Sequence, residues 1–153
     1  MIPDFKRYIR NWPGNQRSDL AHLQAQRRLF PVLIEELAAP FFLDGITKVA
    51  AVDAGGLGLG GGLAYRLNAG LVLIRKAGRI DWAVESASCI DYTGTEKTLE
   101  ITRDALCETD RVLVVDDWSD SGGQLRTAIT LVEQLGAACL HITSRHGCGK
   151  TLR

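Results

Sequence analysis

The chain has no excess of either charge: 18 lysines and arginines stand against 18 aspartates and glutamates in 153 residues. A global basic field of the kind that draws nucleic acid is therefore absent, and any anion site must come from a local cluster. No apolar run approaches the length of a membrane span, because Asp, Arg or Gly interrupts each one. The N-terminus lacks an apolar signal core, so we expect a cytoplasmic location without a membrane partner. Cysteine is sparse. Cys89, Cys107, Cys139 and Cys148 show no C-x-x-C spacing, which argues against a zinc cluster and against a disulfide framework. His146 and Cys148 stand close together in a glycine-flanked tail, where a loose terminus is a simpler reading than a metal or nucleophile pair. There is no internal repeat, and no low-complexity segment beyond one run of glycines.

What remains is ordinary for a single globular domain: 46% of residues are hydrophobic and 24% charged. Residues 1–17 are basic and aromatic and read as an arm, 18–145 as the domain, and 146–153 as a tail. Ser18-Asp19 offers a helix N-cap before Leu20, Leu23, Arg27 and Leu29-Phe30, which recur at roughly helical spacing. Pro31 suits the first turn of a second helical piece that Pro40 closes. Ile46–Val52 reads as a buried strand ending at Asp53, followed by the glycine run and a short helix around Leu63, Ala64 and Leu67. Leu71–Ile74 reads as a second continuous apolar strand, and Arg75 to about Ala83 as a loop. Ala83–Tyr92 and Lys97–Ile101 suit two strands joined through Thr93-Gly94-Thr95. Val112–Val115 is a core strand, Leu125, Ala128, Ile129, Val132 and Leu135 mark a helix face stopped by Gly136, and Ala138–Thr143 is a last strand. Apolar strands separated by helices predict an α/β class: one domain, with a mainly parallel sheet flanked by helices and a β-hairpin excursion.

The chemistry concentrates after Val112–Val115. That strand delivers two adjacent acids, Asp116 and Asp117, at its carboxyl end, the edge where α/β sheets bind ligands. Two carboxylates there can accept hydrogen bonds from the vicinal hydroxyls of a ribose. Ser119, Asp120, Ser121, Gly122 and Gly123 follow and lead into a helix, where backbone N–H groups and the helix dipole favour an anion. Acids for hydroxyls beside a turn for phosphate make a ribose-phosphate cradle. Asp120 complicates it: a carboxylate about 5 Å from a phosphate costs roughly 3 kcal/mol per unit charge product at an effective dielectric of about 20, so either its side chain points to solvent, or phosphate affinity is weakened, or a bound cation bridges the two. Arg75, Lys76 and Arg79 form a cation cluster at the end of the preceding apolar strand, able to hold a diphosphate or simply to be a solvated loop.

The segment 116–124 resembles the phosphoribosyl-diphosphate signature of type I phosphoribosyltransferases, two acids before a Thr-Gly-Gly-Thr-like turn. The similarity extends to the adenine branch. Val49–Lys76 is similar to it without a gap, Arg75-Lys76-Ala77-Gly78-Arg79 resembles its Arg-Lys-x-Gly-Lys loop, Asp91-Tyr92 its Glu-Tyr, and Thr98–Leu106 its Thr-Leu-Glu-Ile-x-x-Asp-Ala-Leu. About two thirds of the chain is covered, in order. The resemblance implies transfer of 5-phosphoribose from phosphoribosyl diphosphate to a nitrogen base such as adenine, with release of pyrophosphate. It implies that Asp116 and Asp117 hold the ribose hydroxyls and Ser119–Gly123 the 5-phosphate. Gly55, Arg75, Lys76 and Arg79 would meet the pyrophosphate together with Mg²⁺. Asp91 would assist proton movement, and Tyr92 would help to close the site. We further expect a homodimer.

The chain departs from that pattern at Gly55, where the family has Arg, and at Asp120 and Gln124 in the turn. Two alternatives stay open on the residues alone. One is a non-catalytic relative that senses phosphoribosyl diphosphate or a nucleotide. The other is an oxidoreductase domain, since Gly56-Leu57-Gly58-Leu59-Gly60-Gly61 fits the dinucleotide pattern G-x-G-x-x-G.

Overall fold

A computed structural model of the protein describes residues 4–11, 18–90, 93–118 and 122–143. After a 3₁₀ turn at Phe5–Tyr8 come β1 (Arg10–Asn11), β2 (Ser18–Asp19), α1 (Ala21–Gln24), α2 (Phe30–Ala38), β3 (Lys48–Val52), α3 (Gly56–Arg66) and β4 (Gly70–Lys76). They are followed by β5 (Val84–Ile90), β6 (Glu96–Thr102), β7 (Arg111–Val115), α4 (Gly123–Gln134) and β8 (Ala138–Thr143). Six strands form one sheet in the order β5-β6-β4-β3-β7-β8. β4, β3, β7 and β8 are mutually parallel, whereas β5 and β6 run antiparallel at the β4 edge.

The apolar composition of β3 and β7 follows from their central place. Val49, Ala50, Ala51 and Val52, like Val112 to Val115, are fully buried, because helices cover both faces. On one face Leu125, Ala128, Leu131 and Val132 of α4 pack on Ala50, Val52, Ile74, Val112 and Val114. On the other, Leu33 and Ile34 of α2 and Leu59 and Leu63 of α3 pack on Val49, Leu113 and Val115. Each fully buried Leu, Ile or Val contributes about 1.5–3 kcal/mol relative to an exposed one. Phe5, Tyr8 and Ile9 pack against the second cluster, and β1 pairs with β2, so the described part of the N-terminal arm lies on the domain.

At the amino edge of the sheet, Asp110 ties two connections together. Its carboxylate accepts from Thr47 Oγ1 at 2.7 Å and from Cys107 N at 3.0 Å. Burial opposes ionisation of Asp110, but these bonds and the charge of Lys48 outweigh it and hold its carboxyl below the usual range. Among the described residues, no helix is long and apolar enough to cross a membrane. Cys89, Cys107 and Cys139 form no disulfide, and Cys148 and His146 lie outside the described residues.

Several expectations need correction. Ser18-Asp19 is a short strand instead of an N-cap, although Asp19 Oδ1 does accept from Ala21 N at 2.8 Å. The helical pattern from Leu20 to Phe30 breaks after Gln24, and α2 restarts it with Pro31 in its first turn. The helix expected near Leu63 begins at Gly56, inside the glycine run. Glycine is a poor helix former, at about 1 kcal/mol worse than Ala, yet a Cβ on Gly60 would run into Ala51 of β3, and one on Gly62 would lie 2.6 Å from Ile34 of α2. Close packing overrides propensity there. Finally, β4 continues through Arg75 and Lys76, because these residues pair with Glu100 and Leu99 of β6. Nor is β4 buried throughout: Leu71 is 45% and Leu73 39% exposed.

Candidate active site

The strand order creates the site. From β3 the chain leaves through α3 to β4, and from the adjacent β7 it leaves through α4 to β8 on the other side. The connections of β3 and β7 thus diverge, and the carboxyl ends of these two strands frame the crevice where doubly wound sheets bind ligands. The turn after β3 is Asp53-Ala54-Gly55, with a cis peptide between Asp53 and Ala54. The turn after β7 begins with Asp116 and Asp117.

The two turns touch. A Cβ on Gly55 would run into the Asp117 carboxylate, and one on Gly56 would stand 2.9 Å from Val115 O and 3.1 Å from Asp116 Cα. Space requires Gly56, because the start of α3 lies against the backbone at the end of β7, whereas at Gly55 the neighbour is the movable Asp117 side chain. Asp116 is 4% exposed, and its Oδ1 accepts from Asp117 N at 2.8 Å. That bond fixes the step between the two acids, so that successive carboxylates leave the strand end in defined directions. Asp53 completes an acidic set, at the end of β3, and forms an ion pair with Arg75 (Nε–Oδ2 3.4 Å) from the end of β4.

Arg75 is thus brought to the turn after β3, whereas Lys76 and Arg79 stand further along the same connection and are exposed. Arg75 and Arg79 together line a groove of about 410 Å³ over the open face of β4, with Leu71, Leu73 and Lys48. The backbone of this basic connection is held by Glu100. Its carboxylate accepts from Gly78 N at 3.1 Å, Arg79 N at 2.8 Å and Ile80 N at 3.0 Å, while Gly78 takes the left-handed conformation (φ 75°) that turns the chain. The residue reading missed this role of Glu100. A single acid between Leu99 and Ile101 in an apolar strand was the available signal, since a buried carboxylate requires partners.

α4 starts at Gly123 after Gly122 in the left-handed conformation (φ 74°), without a side-chain cap. The amino end of α4 therefore follows directly from the β7 turn, and its dipole favours an anion there. Ser119, Asp120 and Ser121, between these points, lie outside the described residues, as do Asp91 and Tyr92. β6 runs antiparallel to β4 with Leu99 opposite Lys76, so Glu96 and Lys97 extend past the end of β4, on the carboxyl side of the sheet. Among the described residues, no group of three or more His, Cys, Asp or Glu side chains could hold a metal ion.

Residues 23–146 match the phosphoribosyl transferase domain family. The adenine phosphoribosyltransferase of Symbiobacterium thermophilum is 40% identical over 140 residues, covering 88% of this chain and 81% of that protein. The crystal structure of adenine phosphoribosyltransferase from Thermoanaerobacter pseudethanolicus superposes with a TM-score of 0.88 at 32% identity, covering 94% of this chain and 86% of that one. The Saccharomyces cerevisiae enzyme, crystallised with adenine and an imino-altritol bisphosphate, superposes with a TM-score of 0.84 at 27% identity, covering 92% and 85%. The chain belongs to the phosphoribosyltransferase family. The dinucleotide reading of the glycine run falls with that finding: these glycines form the first turns of α3, where Gly60 packs against β3 and Gly62 against α2.

Proposed function

We propose that this phosphoribosyltransferase transfers 5-phosphoribose from phosphoribosyl diphosphate to adenine, with release of pyrophosphate. The observation that carries the reading is the contact of the Gly55 turn with Asp117 at the crevice between β3 and β7, where a glycine-bounded turn, two adjacent acids and a helix start converge. Asp116 and Asp117 accept hydrogen bonds from the ribose hydroxyls, each such charge-assisted bond contributing about 1.5–3 kcal/mol. The 5-phosphate is held by Ser119, Ser121, Gly122 and Gly123 with the amino end of α4, against the repulsion of the Asp120 carboxylate in the same turn. Gly55 and the cations Arg75, Lys76 and Arg79 receive the pyrophosphate. Cleavage of the bond to the anomeric carbon builds oxocarbenium character on the ribose. The protein's part is to orient the two reactants and to stabilise the separated charges. Asp91 assists the proton that leaves the base, and Tyr92 helps to shut the site.

Mg²⁺ prefers substrate phosphates with one or two carboxylates to an all-protein cage, which suits a site with Asp116 and Asp117 and without a larger ligand cluster among the described residues. When bound there, it would neutralise the diphosphate. The working form we propose is a cytoplasmic homodimer. The exposed Leu71 and Leu73, on one face of β4, support the dimer, since neighbouring exposed apolar side chains favour burial.

The test is formation of AMP from phosphoribosyl diphosphate and adenine, against a panel including guanine and hypoxanthine, followed by pyrophosphate release. Adenine turnover that Asp117→Asn reduces at least tenfold, with the melting temperature kept, is the expected result. Calorimetric binding of phosphoribosyl diphosphate without turnover of any base would instead establish a non-catalytic sensor, the outcome that Gly55 in place of the family's Arg favours.

A further inference from the structure

Glu100 occupies a costly position. It is 5% exposed, between Leu99 and Ile101, which are fully buried. A carboxylate in such surroundings persists only when its charge is met by partners. The obvious partner is Arg75, directly opposite in the antiparallel register of β4 and β6, because cross-strand neighbours on one face are close enough to pair. Arg75 instead turns to Asp53 at 3.4 Å. Glu100 meets three consecutive backbone donors, Gly78 N, Arg79 N and Ile80 N, at 3.1, 2.8 and 3.0 Å. Two acids thus divide the work: Asp53 aims a guanidinium, and Glu100 ties down the main chain that follows it. Its negative charge is spent on backbone dipoles, and neither the Lys76 nor the Arg79 side chain is paired with it.

We propose that Glu100 is a positioning residue for the diphosphate end of the substrate. It touches neither substrate nor reacting atoms. By gathering the 78–80 amides it holds Lys76 and Arg79 in one arrangement before the ligand arrives, so the ordering of the connection is not repeated at each binding event. This inference rests on the reading that Arg75, Lys76 and Arg79 receive the pyrophosphate. Gln in place of Glu100 keeps the shape, but it replaces one acceptor oxygen with an NH₂ group that faces an N–H donor. The connection then loses at least one bond and gains a repulsion.

The expected result with the full chain is a rise of about tenfold in KM for phosphoribosyl diphosphate in Glu100→Gln, matched by a similar rise in the inhibition constant of pyrophosphate, with KM for adenine within about twofold. Glu100→Asp, which keeps the charge on a shorter stem, should fall between the parent and Glu100→Gln. In Arg79→Ala the Glu100→Gln change should add little, because the group being positioned is gone. If Arg79→Ala raises KM for phosphoribosyl diphosphate while Glu100→Gln and Glu100→Asp do not, the inference is overturned and the reading of the basic connection stands. If neither raises it, the reading itself has failed. Equal losses for both substrates, with a lowered melting temperature in both Glu100 variants, would make Glu100 a matter of folding alone and also overturn the inference.

Discussion

The turns after β3 and β7 solve the same problem with the same residue for different reasons. Each leads from a buried strand into a helix at the carboxyl edge, and each depends on glycine. After β3, Gly55 has an ordinary helical conformation (φ −69°), and what it provides is room: the Asp117 carboxylate takes the space of its missing side chain. After β7, Gly122 is needed for conformation, because its φ of 74° lies in the left-handed region that side chains disfavour. One turn is shaped by what packs on it and the other by the path of its own backbone. A glycine's role therefore cannot be assigned from its place in a motif, but it can be separated by substitution.

The largest effect is expected at Gly60, further along the first unit. Gly60→Ala places a methyl group against Ala51, whose position is fixed by the central strand. Overpacking of this kind costs about 1–3 kcal/mol and outweighs the helix propensity gained. Denaturant melts should register the loss, and a variant as stable as the parent would mean that α3 and β3 can part freely. Gly55→Ala comes next and should act on chemistry instead of stability. Its Cβ forces the Asp117 side chain aside, so kcat/KM should drop about tenfold, or ~1.4 kcal/mol, with an almost unchanged melting temperature. A stability loss without loss of activity would break the distinction between the two turns. Gly122→Ala should then cost about 1 kcal/mol of stability from left-handed strain, partly recovered in Gly122→Asn, since Asn tolerates that region better. The smallest effect has the opposite sign. A Cβ on Gly61 meets no atom within 4 Å, so Gly61→Ala should stabilise α3 by about 0.5–1 kcal/mol, as a higher melting temperature. No gain would indicate that the exposed side of α3 is covered in solution.

Most of the architecture was legible because periodicity reports burial. The apolar runs of β3 and β7 marked central strands, and Leu125, Ala128 and Val132 marked the inner face of α4. Gly136 marked its end, where Gly136 N and Ala137 N bond back to Glu133 O and Val132 O. Part of the crevice was legible, because paired acids after an apolar strand mark the carboxyl edge of a sheet, where Asp117 does lie against Gly55. Local signals failed where a neighbour decided the outcome. The start of α3 was missed because its glycines answer to Ala51 and Ile34. The length of β4 was missed because Arg75 and Lys76 are strand residues only by pairing with β6. Glu100 appeared in the sequence only as part of a resemblance.

The sequence by itself determined the central strands and the helix after β7, the edge of the sheet that carries the acids, and the family, since these depend on local pattern and on residue types in order. The tertiary structure alone decided that Gly55 lies under Asp117, that Arg75 answers Asp53, and that Glu100 gathers the amides of 78–80. The physical reason is separation along the chain: Gly55 and Asp117 are brought together by the adjacency of β3 and β7, and Glu100 meets its donors through the pairing of β4 with β6. No local propensity encodes which strand becomes whose neighbour. That choice is made by the burial of all the apolar faces at once.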